Sequence, residues 1–275
     1  AGSFVATRIG QDMSAGATAL SVDLPASSLA RKADGAPRRV LYAEDQVSSR
    51  VVTKAMLEKM GFEVEAVDDG EVAVEKAREG LYDIILLDIE MPVMDGVTAA
   101  RIIRGEIDSH RNTPILALSA FLADSTEQSD WRNAFDTAVP KPANSNELQR
   151  AMARAIASHT AGEQPCAVTA VLEQKPAANI WDSIREIMPA RSLTALVLSA
   201  SEEMNHLALA LSAAREAGEI EHLRHYRHAL AGLARNFGIT ELDQMITATR
   251  EAPRGLNMSA VFALIEEWRR SHLLH

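Results

Sequence analysis

Between residues 38 and 158 short apolar runs alternate with longer stretches whose apolar positions recur every three or four residues. The runs at 40–43, 62–67, 83–87, 114–118 and 137–139 predict strands, and the stretches at 47–60, 70–79, 96–104, 123–133 and 144–158 predict helices. Strands alternating with helices of that length mean βαβ units around a parallel sheet. Ile84-Ile85-Leu86-Leu87 does not alternate with polar residues, as expected of a central strand covered on both faces. Past Asn179 only the helical period remains, in a short segment at 181–187 and longer ones at 192–217, 219–237, 239–250 and 259–272. Gly218, Gly238 and the Pro253/Gly255 pair stand where those helices should stop, and turns so short imply an antiparallel bundle. Small and polar residues at 26–37 and 159–178 predict two linkers. The predicted fold class is therefore multidomain: a doubly wound α/β domain with a five-stranded parallel sheet over 38–158, and an all-α antiparallel helical bundle over 179–275.

Composition narrows this little. A chain of 275 residues suits about two domains at roughly 150 residues each. Its 47% apolar and 24% charged content is ordinary for soluble domains with real cores. The net charge of −10 argues against nucleic acid or an anionic membrane as partner. The single cysteine, Cys166, excludes an internal disulfide framework and a cysteine metal cluster, and fits a reducing compartment. No apolar run is long enough for a membrane span and no signal peptide is recognisable, so a cytoplasmic location without direct membrane insertion is expected.

The chemistry lies at the strand ends. In an open parallel sheet ligands bind at the carboxyl ends of the strands. Those ends carry Glu44 and Asp45 after the first strand, Asp88 after the third, Ser119 after the fourth and Lys141 after the fifth. Three carboxylates on one edge repel unless a cation lies between them, and hard oxygen donors with room for water suit Mg²⁺ better than zinc. Asp88 could then act as an ionised nucleophile, with Lys141 and the metal neutralising a transferring phosphoryl group.

The stretches Val40-Leu-Tyr-Ala-Glu-Asp45, Leu86-Leu-Asp-Ile-Glu-Met-Pro-Val-Met-Asp-Gly96, Leu118-Ser-Ala120 and Lys141-Pro142 resemble the response-regulator receiver domain over about 38–158, whose fold is flavodoxin-like. The resemblance implies that Asp88 is the phospho-acceptor and that Glu44, Asp45, Asp88 and the Glu90 backbone carbonyl hold Mg²⁺. It also implies that Ser119 and Lys141 contact the phosphoryl group. The Lys-Pro bond is often cis in the family, which would aim Lys141 into the site. The position three before the lysine, usually Tyr or Phe in the family, is Ala138 here, which departs from its aromatic switch.

Four of the eight histidines crowd into 206–228. On a helical wheel of 219–237, Leu223, Tyr226, Leu230, Leu233 and Phe237 share one face, and His228 points away from it toward solvent. Arg224, His225, Gly232 and Arg235 fall on its side. Gly232 costs about 1 kcal/mol relative to alanine inside a helix. Its missing side chain would clear room around the imidazole for a phosphoryl group and a partner, and the arginines would favour a phosphoramidate. His206 and His222 are expected to be structural or surface residues, and His225 a solvated neighbour. His228-Ala-Leu-Ala-Gly232 followed by Asn236-Phe-Gly238 is similar to the signature of a histidine phosphotransfer (HPt) domain, over about 180–272. The family's lysine three residues after the histidine is Ala231 here, and Arg224 is the candidate substitute.

Arg8-Ile-Gly-Gln-Asp-Met-Ser-Ala-Gly16 and Leu20-Ser-Val-Asp-Leu-Pro25 resemble the closing hairpin of a histidine-kinase ATP-binding domain, so 1–25 is expected to be a remnant of one. That would make the chain the carboxyl-terminal part of a hybrid sensor kinase. No glycine loop that cradles phosphates occurs in it, so ATP-dependent autophosphorylation by this chain itself is not expected. Together these resemblances imply a phosphorelay intermediate. It would take a phosphoryl group from an upstream kinase phosphohistidine on Asp88 and pass it through His228 to a downstream response regulator. The alternative is a regulatory interaction module, in which phosphorylation of Asp88 controls docking and His228 carries nothing.

Overall fold

The computed structural model describes residues 26–119, 131–141, 143–160, 180–249 and 255–273. The expected remnant at 1–25, most of the expected helix at 123–133, most of the second linker and the Lys141–Pro142 peptide geometry lie outside them.

Helix α1 (Ala26–Leu29) precedes strand β1 (Arg39–Ala43), helix α2 (Val47–Lys59), β2 (Glu63–Val67), α3 (Gly70–Glu79), β3 (Ile84–Asp88) and α4 (Gly96–Glu106). Strand β4 (Ile115–Ser119), β5 (Thr137–Pro140) and α5 (Ser145–Thr160) complete the first domain. The sheet is parallel with order β2-β1-β3-β4-β5. Both of its faces are covered, which accounts for the unbroken apolar run of β3. Ile85 and Leu87 pack with Ala73, Ala77 and Ile103 of α3 and α4, whereas Ile84 and Leu86 pack with Leu57, Leu148 and Met152 of α2 and α5. Asp69 and Asp95 start α3 and α4 by accepting the amides of Val72 and Thr98.

One boundary differs from expectation. The segment 26–37 is not a free linker: Leu29 and Ala30 are buried in the α2/α5 layer, and Arg31 bridges Pro37. Its few apolar residues are outnumbered in the sequence by small and polar ones, yet two of them suffice to pin it.

The second domain is helical: α6 (Ile180–Ile187), α7 (Ala190–Ala217), α8 (Ile220–Asn236), α9 (Thr240–Ala248) and α10 (Met258–Leu273). Gly218 and Gly238 adopt φ of +74° and +69°, the left-handed turn that ends a helix cheaply only with glycine. Leu196, Met204, Leu230, Leu233, Phe237, Leu242, Val261 and Ile265 form the core around Trp181 and Trp268, whose ring centroids are 5.6 Å apart. Val52 and Met56 of α2 belong to this same apolar cluster. The helical domain is thus packed on the first domain through α2.

No helix among the described residues is long and apolar enough to cross a membrane.

Candidate functional site

The strand order reverses between β1 and β3, so the two open a crevice at their carboxyl ends, and the acidic residues stand there. Asp88 is the last residue of β3, Ser119 the last of β4; Glu44 and Asp45 follow β1, and Lys141 follows β5. Backbone pairing holds the neighbouring ends in register: the Lys141 amide donates to the Ser119 carbonyl at 2.8 Å. Glycine is required at 96 because a Cβ there would collide with the Asp88 carbonyl oxygen.

Lys141 Nζ donates to Asp88 Oδ2 at 2.7 Å and to Glu44 Oε2 at 2.5 Å, which also accepts Tyr42 OH at 3.0 Å. Asp88 Oδ1 accepts the Glu90 amide at 3.4 Å. Burial alone would lower the lysine pKa, but the Asp88 and Glu44 charges reverse this and hold it above the ordinary lysine value. Burial pushes the Glu44 carboxyl above the usual carboxylate range despite Lys141. Burial, with the Asp88 charge behind it, raises Asp45 to about 6.

The carboxylates of Glu44, Asp45 and Asp88 offer oxygens within 4.8 Å of one another. Glu44 Oε1 and Asp45 Oδ1 are buried and have no hydrogen-bond partner among the described residues. Two buried carboxyl oxygens left unpaired among the described residues, beside a third carboxyl, are what an oxygen-liganded divalent cation satisfies, so the residues present fit such an ion. Ala138 is buried in the layer between the sheet and α3/α4, and no aromatic side chain stands at that position.

The helical domain brings His228 to the same edge. Its Nδ1 lies 3.0 Å from Glu90 Oε2, two residues beyond Asp88. The imidazole is therefore not the solvent-facing group that the helical wheel implies, for its side chain is only 22% exposed. The wheel accounts for the core face correctly: Leu230, Leu233 and Phe237 are buried and Leu223 and Tyr226 pack against them. It misses a second covered face, because Ala229, Ala231, Gly232 and Ala234 are buried as well.

Gly232 is also placed differently from expectation. A Cβ on it would lie 3.4 Å from Gln46 Nε2, so the space it leaves receives a side chain of the first domain. Gln46 Nε2 donates to the Ala229 carbonyl at 3.0 Å. Arg224 lines a cavity of about 180 Å³ with Glu90, Arg227, His228, Ala231, Ile246 and Thr247. It is exposed there and paired with Glu221 at 3.4 Å. Arg235 is not brought to this cavity; it is engaged by Asp243 at 2.7 Å. His225 is lowered in pKa by burial and by the neighbouring His228 charge. His222 pairs with Glu219 at 2.7 Å, and His206 is exposed on α7.

Sequence reasoning missed the residues that join the domains. Glu203 of α7 accepts the amides of Val47 and Ser48 at 3.0 and 3.2 Å and the Ser48 hydroxyl at 2.6 Å. It thereby caps α2, whose own N-cap, Gln46, makes no side-chain cap bond. Asn236 Nδ2 donates to Ser49 Oγ at 2.8 Å. A signal did exist: Gln46 is a poor N-cap, leaving amides that something else had to satisfy.

Comparison with known proteins agrees with the first domain. Residues 40–153 match the family model of the response regulator receiver domain. The sensor protein GacS of Pseudomonas syringae pv. syringae is 33% identical over 112 residues, 40% of this chain and 12% of that protein. The autoinducer 2 sensor kinase/phosphatase LuxQ of Vibrio vulnificus (strain YJ016) is 36% identical over 110 residues, 40% of this chain and 13% of that protein. This chain thus corresponds to a small part of either relative. The receiver domain of sensor histidine kinase PA1611 from Pseudomonas aeruginosa PAO1, solved with a magnesium ion in its active site cleft, is 37% identical. The match covers 45% of this chain and all of that one, with a TM-score of 0.42. The sheet order, the acidic crevice and the family match converge on one conclusion: residues 40–153 are a response regulator receiver domain, homologous to those of hybrid sensor kinases.

Proposed function

We propose that this chain is a phosphorelay intermediate of a two-component system. A kinase phosphohistidine gives its phosphoryl group to Asp88, Asp88 passes it to His228 of an HPt domain at 179–275, and His228 passes it to the aspartate of a separate response regulator. The observation that carries this reading is that His228 meets the receiver at Glu90, on the edge that holds Asp88, rather than on a remote face.

Each transfer is an in-line displacement in which positioning and charge neutralisation supply the catalysis. Lys141, already hydrogen-bonded to Asp88, offsets charge on the phosphoryl oxygens, and the Ser119 hydroxyl stands at the adjoining strand end. Glu44, Asp45, Asp88 and the Glu90 carbonyl would hold Mg²⁺, which when bound neutralises charge on the phosphoryl group. Arg224, and Arg227 with it, supplies positive charge in the cavity that His228 lines. Gly232 acts at one remove, by letting Gln46 seat the receiver against α8.

The test follows label from a phosphorylated cognate kinase in wild type, Asp88→Asn and His228→Ala. Label should reach both residues in wild type, only Asp88 in His228→Ala, and neither in Asp88→Asn. Label on His228 in Asp88→Asn would overturn the order.

A second reading, a docking module in which phosphorylation of Asp88 releases the helical domain, draws on the bonds of Gln46, Ser49 and Glu203 across the interface. It requires that His228→Ala leave signalling intact while Asp88→Asn abolishes it.

A further inference from the structure

We infer that Glu90 is a positioning residue for His228: its carboxylate, supplied by the receiver, holds the imidazole Nδ1–H so that Nε2 is the atom presented to the phosphoryl group. This rests on the reading of His228 as phosphocarrier and goes further, because it places part of the histidine's machinery on the other domain.

The geometry is specific. Glu90 Oε2 stands 3.0 Å from His228 Nδ1, a hydrogen-bond distance across the domain boundary. A neutral imidazole carries one N–H, and the hydrogen bond made by one nitrogen decides which the other will be. A carboxylate can only accept, so at this distance it selects the tautomer protonated on Nδ1 and leaves the lone pair on Nε2. Among the described residues lining the cavity around His228, Glu90 is the acid; Arg224 and Arg227 can only donate, and Ala231 and Ile246 are apolar. Thr247, from α9, is the other lining side chain able to accept, and His225 lies on the same helix as His228. The main chain of Glu90 belongs to the loop after β3, so one residue is anchored to Asp88 at its amide and to His228 at its side chain.

The step balances without a proton transfer. The Nε2 lone pair forms the N–P bond while the P–O bond to Asp88 breaks, and its electron pair returns to the Asp88 carboxylate. Nδ1 keeps its proton throughout. The ring of the product gains positive charge, and Glu90 faces it.

The 275-residue chain carrying ¹⁵N-histidine gives the tautomer of His228 directly from its ring nitrogen shifts, with His228→Ala assigning the signal. The same chain, phosphorylated at Asp88 with labelled acetyl phosphate and magnesium, gives the rate at which acid-stable acyl phosphate chemistry is replaced by base-stable phosphoramidate on His228, per phosphorylated Asp88. Wild type should hold the Nδ1–H tautomer. Glu90→Ala should mix the tautomers and slow transfer about 100-fold, the scale of a misplaced reactant. Glu90→Gln, whose amide oxygen can still accept from Nδ1, should keep the tautomer and recover most of the rate. If Glu90→Ala leaves tautomer and transfer unchanged, the role of Glu90 is overturned while the relay stands. If label never reaches His228 in wild type, the relay reading fails, and the tautomer alone decides for Glu90: a shift in Glu90→Ala supports it, none overturns it.

Discussion

The surroundings of Asp88 and of His228 are built by opposite strategies. Asp88 sits in a crevice made by one sheet, where strand ends deliver Glu44, Asp45, Ser119 and Lys141 and the backbone ladder fixes their spacing. His228 rides on a helix of the other domain and meets Glu90, while Gln46 bonds the carbonyl of the next residue, Ala229. A site made by one sheet is present whenever the sheet is folded. A site made by two domains exists only while they are docked.

The largest effect is expected from unbalancing the charges of the crevice. Lys141→Met in the metal-free chain leaves Asp88 and Glu44 buried without their cation and should cost about 3–5 kcal/mol by denaturant unfolding. Millimolar Mg²⁺ should restore part of that stability. No comparable loss should follow from His228→Ala.

Core truncations come next. Ile85→Ala and Leu230→Ala each remove a fully buried side chain and should each cost about 2–5 kcal/mol. The difference is in where the damage spreads. Val52 and Met56 of α2 share the apolar cluster of Leu230, so Leu230→Ala should raise amide exchange in α2 as well as in the bundle.

The pH dependence separates the regions more gently. The Asp45 carboxyl lies near 6 in the fold, against an ordinary 3.8 when unfolded. As pH rises through that window the unfolded chain ionises first, so Asp45 should take up to a few kcal/mol from the metal-free receiver between about pH 4 and 6, and the raised Glu44 carboxyl should carry the loss on toward about pH 8. Bound Mg²⁺ favours the ionised carboxylate and should flatten the slope, whereas in the bundle the lowered His225 pKa acts in the opposite direction, favouring the fold as pH rises toward the ordinary histidine range. Scanning unfolding midpoints with pH, with and without Mg²⁺, reads it.

The smallest expected effect lies at the seam. Glu203→Ala removes the cap of α2 and should cost about 1 kcal/mol of docking, seen as faster exchange of the Val47 and Ser48 amides. Glu203→Gln, which can still accept, should lose less.

The sequence carries the receiver site almost whole, for a physical reason. Each of its side chains sits at a strand end, strand ends can be read from apolar periodicity, and parallel topology brings them to one edge. The core of the bundle is legible in the same way, down to the glycines at 218 and 238. The wheel of α8 fails for His228 because it assumes that whatever does not face the helix's own core faces water. The small residues Ala229, Ala231, Gly232 and Ala234 mark a second close approach, and only the receiver's position reveals what makes it. Arg235 falls near His228 on the wheel but is claimed by Asp243, a partner on another helix that the wheel does not contain. Leu29 and Ala30 repeat the lesson, because composition averages away two residues whose burial turns a linker into part of a domain.

The proposal stands or falls on whether Asp88 passes its phosphoryl group to the His228 docked beside Glu90 in the same chain. The direct measurement is the rate of phosphoryl movement from Asp88 to His228 in the 275-residue chain as it is diluted. A docked pair predicts a first-order rate that does not change over a hundredfold dilution. A rate that falls in proportion to concentration would contradict it, for the two residues would then meet only between separate molecules.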